Sequence, residues 1–204
     1  MTTGWTTHTG KAVALDRESV DTDQLIPARF MSTPRSEGYG DFRLRDLRFG
    51  ADGEANPTDP LNRHSDATVI VTRRNFGSGS SREAAVYALM DFGIKAILAP
   101  SFGDIFASNA VNNGLLPAKL EDEAINILIS VLTIQAENLV VDLEQKEIGL
   151  ADRTFAFDID DIWREKLLNG WDDIDLTLSH QSAIAAYREN IKANQTWRFP
   201  ADAG

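Results

Sequence analysis

The chain has 204 residues, carries a formal net charge of −11 and contains no cysteine. Its acidic balance, without any block of lysine and arginine, argues against a nucleic-acid partner, because binding one requires positive charge to neutralise phosphates. The missing cysteines exclude disulfides, thiol nucleophiles and thiolate-bound metals within this chain, and its three histidines lie far apart, so we expect no metal site. No apolar run approaches the ~18–20 residues that span a bilayer, and the N-terminus lacks a signal-peptide pattern. We therefore expect a cytoplasmic protein without a membrane partner.

The first predicted element along the chain is a strand over residues 9–15. The stretch of about residues 29–66 is rich in glycine, proline, aspartate and asparagine, and its pattern is irregular. A structureless loop of this length is unusual in a compact domain and is often functional. Two interpretations of this segment stay open here, a functional loop and a surface excursion.

A strand–helix alternation begins at Ala67. A β-branched run predicts a buried strand, a helix ended by Gly93 comes next, and a second strand and helix follow before Gly114. Such alternation predicts a parallel βαβα unit with a right-handed crossover. Beyond it, the pattern predicts a third helix, a hairpin around Glu144–Lys146 and further helices at the C-terminal end. Since no repeat or linker interrupts the pattern, residues 1–204 are expected to form one α/β domain.

The turn after the β-branched run carries the sequence GSGSSRE, residues 77–83. Ser80 and Glu83 have the S-x-x-E spacing of a capping box, which predicts a helix N-terminus at the serines. The free N–H groups of a helix N-terminus attract anions, and glycines let a ligand approach the backbone. Arg82 adds a planar guanidinium that suits a carboxylate or a phosphate. The turn therefore predicts a site for a small anion, although serine-capped, glycine-rich turns also occur without any ligand.

Several separated motifs resemble one known family. NFGSGSSRE and APSFGDIFASNAVNNGLLP are similar to motifs of the swivel domain of the aconitase superfamily. HTGKAVALDRESVDTDQLIPARF and LTLSHQSAIAAYRE resemble segments of its stand-alone form, the small subunits of 3-isopropylmalate dehydratase. The likeness implies a swivelling β/β/α fold. It also implies a hydro-lyase that interconverts 2-isopropylmalate and 3-isopropylmalate, by removing and re-adding water, in leucine biosynthesis.

The resemblance further implies that two chains share the work. A large partner subunit would hold a [4Fe-4S] cluster on three cysteines, and one iron would bind the small dicarboxylate substrate as a Lewis acid. This chain would bind no cofactor, which agrees with its lack of cysteine. The expected assembly is a heterodimer or a heterotetramer.

The functional residues of the family carry over by motif position. Ser80 would be the base that removes a proton from the substrate carbon, with its alkoxide stabilised by neighbouring N–H groups, the helix end and Arg82. Ser81 and Arg82 would bind a substrate carboxylate. Gly79 and Asp23 belong to the same predicted substrate-binding set.

The resemblance also implies that the loop from Arg29 to Gly40 faces the variable side chain of the substrate and helps to select the substrate. Arg29 and Arg35 are candidate partners for a substrate carboxylate. Turn capping is an equally open role for the two aspartates of the DTD motif, Asp21 and Asp23.

One departure from the family leaves the substrate open. The family usually has a histidine at the position of Ala84, so a related malate, such as citramalate or dimethylmalate, is an alternative substrate. A non-catalytic module that binds a dicarboxylate or assembles with a partner is a second alternative. A nucleotide-binding enzyme is a third, although the chain has neither a complete G-x-G-x-x-G nor a P-loop pattern. His8, Asn112 and Asn113 lie in family motifs and are expected to be structural.

Overall fold

The computed structural model describes residues 3–198. Its strands are β1 (Thr7–Leu15), β2 (Val69–Thr72), β3 (Ala96–Ala99), β4 (Leu116–Lys119), β5 (Glu137–Asp142), β6 (Glu147–Leu150) and β7 (Arg153–Ala156). Its helices are α1 (Thr22–Leu25), α2 (Arg45–Arg48), α3 (Pro60–Arg63), α4 (Glu83–Phe92), α5 (Asp104–Asn112), α6 (Asp122–Ile134), α7 (Asp161–Asn169), α8 (Asp173–Ser179) and α9 (Gln181–Asn194). Short 3-10 turns occur at Ala28–Phe30, Arg35–Glu37, Tyr39–Phe42 and Thr196–Arg198. The strands form one sheet in the spatial order β4-β3-β2-β1-β5-β6-β7.

One half of the sheet, from β1 to β4, is parallel. Every residue of β2 and β3 is buried, as expected for parallel strands that are covered on both faces. The register places Ala12 beside Val69, and Ile70 beside Ile97. The predicted parallel βαβα unit is confirmed.

The other half of the sheet is antiparallel. β5 pairs with β1, with Thr9 beside Val140, and β6 and β7 continue outward. The hairpin between β5 and β6 turns around Glu144–Lys146, where the sequence predicts it. β1 is therefore the strand at which the sheet changes from parallel to antiparallel pairing.

Two hydrophobic clusters cover the two faces of this sheet. One contains Ile70 and Ile97 together with residues of α4 and α5, and the other contains Val69 and Leu98 together with residues of α6. Because successive residues of a strand point to opposite faces, the two clusters lie on opposite sides. The predicted α/β class, with helices at the C-terminal end, is confirmed.

Glycines end two of the helices at the predicted positions. Gly93 has a φ of +111° directly after α4, and Gly114 has a φ of +84° shortly after α5. Both values lie where L side chains are disfavoured, so the chain leaves each helix at a residue without a Cβ.

The stretch of about residues 29–66 contains short helical turns and is not a structureless loop. Leu44 and Leu61 are fully buried, so the stretch contributes to the core. Arg43 is buried with its guanidinium over the ring of Phe92, and this burial lowers the pKa of Arg43 to about 9. The composition of the stretch of about residues 29–66 does not reveal these helical turns, because the turns are short and most of their residues are polar.

The C-terminal helices α8 and α9 lie on the surface, and none of their described residues is buried. Lys166 of α7 joins α8 to the body of the protein. Its buried ammonium donates to Asp173 Oδ1 at 2.6 Å and also to the side-chain oxygen of Asn112. Lys166 thereby holds the pKa of the Asp173 carboxyl below its usual range.

Two expectations concern the chain as a whole. The prediction that residues 1–204 form a single domain includes residues outside the described range and stays a prediction. Within residues 3–198, no helix is both long enough and apolar enough to cross a membrane.

His8 of β1 confirms its expected structural role and makes stability depend on pH. Its Nε2 lies 2.8 Å from Thr68 Oγ1, and partial burial, followed by the charge of Lys95, lowers the pKa of His8 below its ordinary value of 6.5. The unfolded chain therefore binds more protons below pH 6.5. The contribution of His8 to stability is fully present above that pH and is lost as the pH falls through the folded-state pKa.

We expect the free energy of unfolding of His8→Gln to fall less than that of the wild type when the pH is lowered from about 7.5 to about 5. Urea titrations at several pH values measure both free energies. An equal fall in the two proteins would contradict the prediction.

Candidate active site

Residues 77–82, here called the serine loop, lie in the connection between β2 and α4. Thr22 at the start of α1 binds this loop twice. Its N–H donates to the Ser78 carbonyl at 2.9 Å, and its hydroxyl donates to the Ser80 carbonyl at 2.9 Å. Thr22 is 2% exposed, so both bonds are shielded from water. These bonds fix the carbonyl groups of Ser78 and Ser80 and do not use the N–H groups of residues 79–81.

α4 begins after the serines, and not at them. The S-x-x-E spacing predicts a capping box, but α4 starts at Glu83, with Arg82 at the N-cap position and no side-chain cap. This prediction was wrong because the loop is held by Thr22 and because Gly79, with a φ of +95°, is not helical. The Glu83 carboxylate instead accepts a hydrogen bond from Asn113 Nδ2 at 2.9 Å.

Two glycines bring the start of α5 against the serine loop. Gly77 has a φ of +73°, and a Cβ at this position would lie 2.2 Å from Cγ of Phe106. Gly103, which precedes α5, lies equally close: its Cβ would lie 2.5 Å from the Gly77 carbonyl oxygen. The Gly103 N–H also donates to the Phe76 carbonyl at 2.9 Å. Only residues without a side chain permit this approach.

A cavity of about 190 Å³ lies between the serine loop and the start of α5, and its lining includes Gly79, Ser80 and Arg82. No hydrogen bond in the described part of the chain has an N–H of residues 79–81 as its donor. The exposed hydroxyls of Ser80 and Ser81 likewise have no partner among residues 3–198. The cavity lining thus brings together Gly79 and Ser80, whose backbone N–H groups are unused, the Ser80 hydroxyl and the Arg82 guanidinium, which are the donors that a small-anion site requires. Ser81, predicted to bind a substrate carboxylate, lies between Ser80 and Arg82 in the chain but does not line the cavity.

Asp23 lies beside this cavity, as predicted. Arg82 Nη1 donates to Asp23 Oδ1, and the other nitrogens of Arg82 donate to no described group. The Arg82 side chain is 16% exposed and that of Asp23 is 56% exposed. The neighbouring Asp21 forms a capping box with Gln24, whose N–H donates to Asp21 Oδ1 at 2.7 Å. The capping role is therefore confirmed for Asp21, whereas Asp23 pairs with the arginine of the site.

Arg29 and Arg35 do not line the cavity in this structure. Arg29 forms a two-pronged ion pair with Asp46, one prong of which is 2.9 Å long. Arg35 binds Asp91 at 2.6 Å, and its guanidinium lies 4.0 Å from the centre of the Tyr87 ring. Arg29 therefore stays within its own segment and Arg35 links that segment to α4. Contact of either residue with a substrate stays a prediction.

Several contacts at the site were missed by sequence reasoning. Thr22 reaches the carbonyl of a residue 58 positions later in the chain, and no local pattern announces such a bond. The approach of α5 had a signal, because the turns that follow adjacent parallel strands meet at the same edge of a sheet. Asn113 has a structural role, as expected, since its Nδ2 donates to the Asn109 carbonyl at 2.9 Å at the end of α5. Its second bond, to Glu83, was not foreseen.

The residues of this chain do not fit an iron–sulfur cluster. The chain has no cysteine. Among residues 3–198, no group of three or more histidine, aspartate or glutamate side chains is placed to hold a metal ion. The site on this chain is thus made of hydrogen-bond donors.

Known proteins share this chain's sequence and fold. Residues 2–123, which include the serine loop, match the family model described as the aconitase C-terminal domain. A 3-isopropylmalate dehydratase small subunit of Shouchella clausii is 43% identical over 188 residues, which are 91% of this chain and 95% of that protein. One of Shewanella amazonensis is 42% identical over 200 residues, which are 95% and 98% of the two chains. The crystal structure of a 3-isopropylmalate dehydratase of Methanocaldococcus jannaschii is similar with a TM-score of 0.64 and 27% identity, covering 89% of this chain and 99% of that chain.

Gly77→Ala should destabilise the protein more than Gly93→Ala. Both glycines have a positive φ, but only the Cβ at position 77 would meet another residue, Phe106. We expect a loss of about 1–2 kcal/mol for Gly93→Ala from backbone strain alone. For Gly77→Ala we expect about 2–5 kcal/mol, because overpacking adds to that strain. Urea unfolding measures both, and equal losses would contradict the close approach of α5 to the loop.

Proposed function

Because the chain belongs to the family of 3-isopropylmalate dehydratase small subunits, we propose that it is the small subunit of such an enzyme, a hydro-lyase of leucine biosynthesis. The observation that carries the proposal is the serine loop. Within the residues that match the family, it lines one cavity with Ser80, Arg82 and backbone N–H groups that have no partner among residues 3–198. Removal of water from a hydroxy-dicarboxylate needs a proton acceptor and donors for a carboxylate, and the loop supplies both.

We propose that a larger partner subunit completes the active site. The similar proteins of Shouchella clausii and Shewanella amazonensis are named small subunits, and the serine loop of this chain is exposed where a partner could cover it. Since this chain has no cysteine, the partner would contribute the [4Fe-4S] cluster, which supplies a Lewis acid for the leaving hydroxyl. The roles derived below concern this chain alone.

The first role of the serine loop is to bind a substrate carboxylate. Arg82 uses Nη1 for Asp23 and keeps Nε and Nη2 for a ligand. Because Asp23 anchors one edge of the guanidinium, the plane of Arg82 is oriented before substrate binds. The hydroxyl of Ser81 and the adjacent backbone N–H groups can donate to the same carboxylate.

The second role is proton transfer by Ser80. A serine alkoxide is a strong base, so its formation needs nearby positive charge and N–H donors. Because α4 begins three residues after Ser80, at Glu83, these donors are chiefly the N–H groups of the loop and Arg82, and only secondarily the helix end. In dehydration the Ser80 alkoxide takes the proton from the substrate carbon and becomes a neutral hydroxyl, while the carbon–oxygen bond breaks and the substrate hydroxyl leaves as hydroxide, whose charge the partner's Lewis acid would stabilise. In the return step the Ser80 hydroxyl gives its proton to carbon as hydroxide adds to the double bond, and the alkoxide is restored.

Ala84 stands where the family usually has histidine, and this difference does not argue against a catalytic role for the chain. Its side chain is half-buried and packs against the hydrophobic cluster of α4 and α5, and it does not line the cavity. Position 84 is therefore not part of the cavity lining of this chain. This favours a catalytic subunit over a non-catalytic binding module, and it leaves a related malate as the alternative substrate.

Ser80→Ala should abolish most activity while leaving assembly intact. We expect the turnover of 2-isopropylmalate by the anaerobically reconstituted two-subunit complex to fall by about 10²–10⁴-fold, the usual effect of removing a general base. Size-exclusion chromatography should show unchanged complex formation, because Ser80 contributes only a small exposed hydroxyl.

The matched control is Ser130→Ala. Ser130 is an exposed serine of α6 whose hydroxyl donates to the Ile127 carbonyl of its own helix. This variant should keep wild-type turnover. If Ser80→Ala also kept wild-type turnover, Ser80 would not be the base.

Arg82→Lys should raise the KM for the dicarboxylate. Lysine keeps the charge but loses the planar fork that holds Asp23 with one nitrogen and a carboxylate with the others. A lost hydrogen bond between charged groups corresponds to a rise of about 10–100-fold. Steady-state kinetics of the reconstituted complex measures it, and an unchanged KM would remove Arg82 from substrate binding.

A further inference from the structure

We propose that Ile105 is a specificity-determining residue, which contacts the alkyl substituent of the substrate and favours malates with a bulky, branched substituent. The inference rests on the proposed function. Ile105 is the second residue of α5 and lines the cavity that Ser80 and Arg82 also line. Its side chain is 53% exposed, so a ligand in the cavity can reach it.

Ile105 is the exposed large apolar side chain of this cavity lining. The other large apolar residue there, Phe106, is only 3% exposed, because its ring packs 5.4 Å from the ring of Phe76 beneath the loop. The rest of the described lining consists of glycines and polar or charged side chains. In the described lining, Ile105 is therefore the exposed large apolar side chain that an alkyl group held near Ser80 can contact.

The backbone holds Ile105 in a fixed place relative to Ser80. The segment that leads into α5 is bound to Phe76, the residue before the serine loop: the Gly103 N–H donates to the Phe76 carbonyl, and the Phe76 N–H donates to the Ser101 carbonyl at 3.1 Å. A Cβ at Gly103 would meet the Gly77 carbonyl oxygen and one at Gly77 would meet the Phe106 side chain, so neither glycine can carry a Cβ without displacement. A side chain on a rigid helix start discriminates size better than one on a mobile loop.

The polar and apolar parts of the cavity suit the two ends of an alkyl-substituted malate. Arg82 and the loop N–H groups bind a carboxylate, and these contacts are the same for every malate. The substituent is what differs, and its transfer from water to an apolar contact is favourable in proportion to the area covered. A single methylene in an apolar site changes kcat/KM by about 10–200-fold. Truncation of Ile105 should therefore act on large substituents and spare small ones.

The test compares two substrates in the reconstituted two-subunit enzyme. For wild type, Ile105→Val and Ile105→Ala, kcat/KM is measured with 2-isopropylmalate and with citramalate, whose substituent is a methyl group. We expect Ile105→Ala to lower the ratio of the two values, 2-isopropylmalate over citramalate, by about tenfold or more. Ile105→Val should lie between Ile105→Ala and wild type.

The matched control is Ile162→Ala, because Ile162 of α7 is equally exposed, at 54%, and does not line this cavity. It should leave the ratio unchanged. An unchanged ratio in Ile105→Ala, which includes an equal fall of kcat/KM with both substrates, would overturn the inference. So would a loss of complex formation on size-exclusion chromatography with an unchanged ratio, since Ile105 would then be a contact to the partner subunit. Failure of the wild-type complex to act on 2-isopropylmalate would instead count against the proposed function.

Discussion

The site depends on one buried residue, Thr22, whose backbone N–H and side-chain hydroxyl each bind a carbonyl group of the serine loop. A loop of small residues between a strand and a helix can either form an additional first turn of that helix or stay extended. Thr22 takes the carbonyls of Ser78 and Ser80, which an earlier helix start would need for its own bonds. The loop therefore does not become helical, and α4 begins only at Glu83. The loop N–H groups before Glu83 remain available to a ligand.

The mixed sheet explains why the parts of the site meet. β1, β2 and β3 are parallel neighbours, so the segments that follow them leave the sheet at the same edge. These segments carry Thr22 and Asp23, the serine loop, and the start of α5. Gly77 and Gly103 then allow the last two to touch through their backbones. The site is thus a product of strand order, closed by two residues that lack side chains.

The other two candidate arginines, Arg29 and Arg35, are each already engaged by a carboxylate through two nitrogens, whereas Arg82 is not. In a chain with a net charge of −11, Arg29 and Arg35 bind Asp46 and Asp91. Arg82 differs because only one of its nitrogens is engaged, although its side chain is largely shielded. A shielded guanidinium with free donors attracts an anion more strongly than an exposed one, since water screens it less.

The sequence by itself determined the element order, the helix-ending glycines and the choice of GSGSSRE as the candidate site, because these depend on periodicity and on residues whose backbone preferences are local. It also carried the family resemblance. Only the tertiary structure decided where α4 begins, how the stretch of about residues 29–66 packs, and that Asp21 caps a turn whereas Asp23 binds Arg82. It alone placed Ile105 beside Ser80. The reason is that each of these outcomes depends on a contact with a residue far away in the chain. A local sequence pattern does not specify contacts that form only when the sheet brings distant turns together.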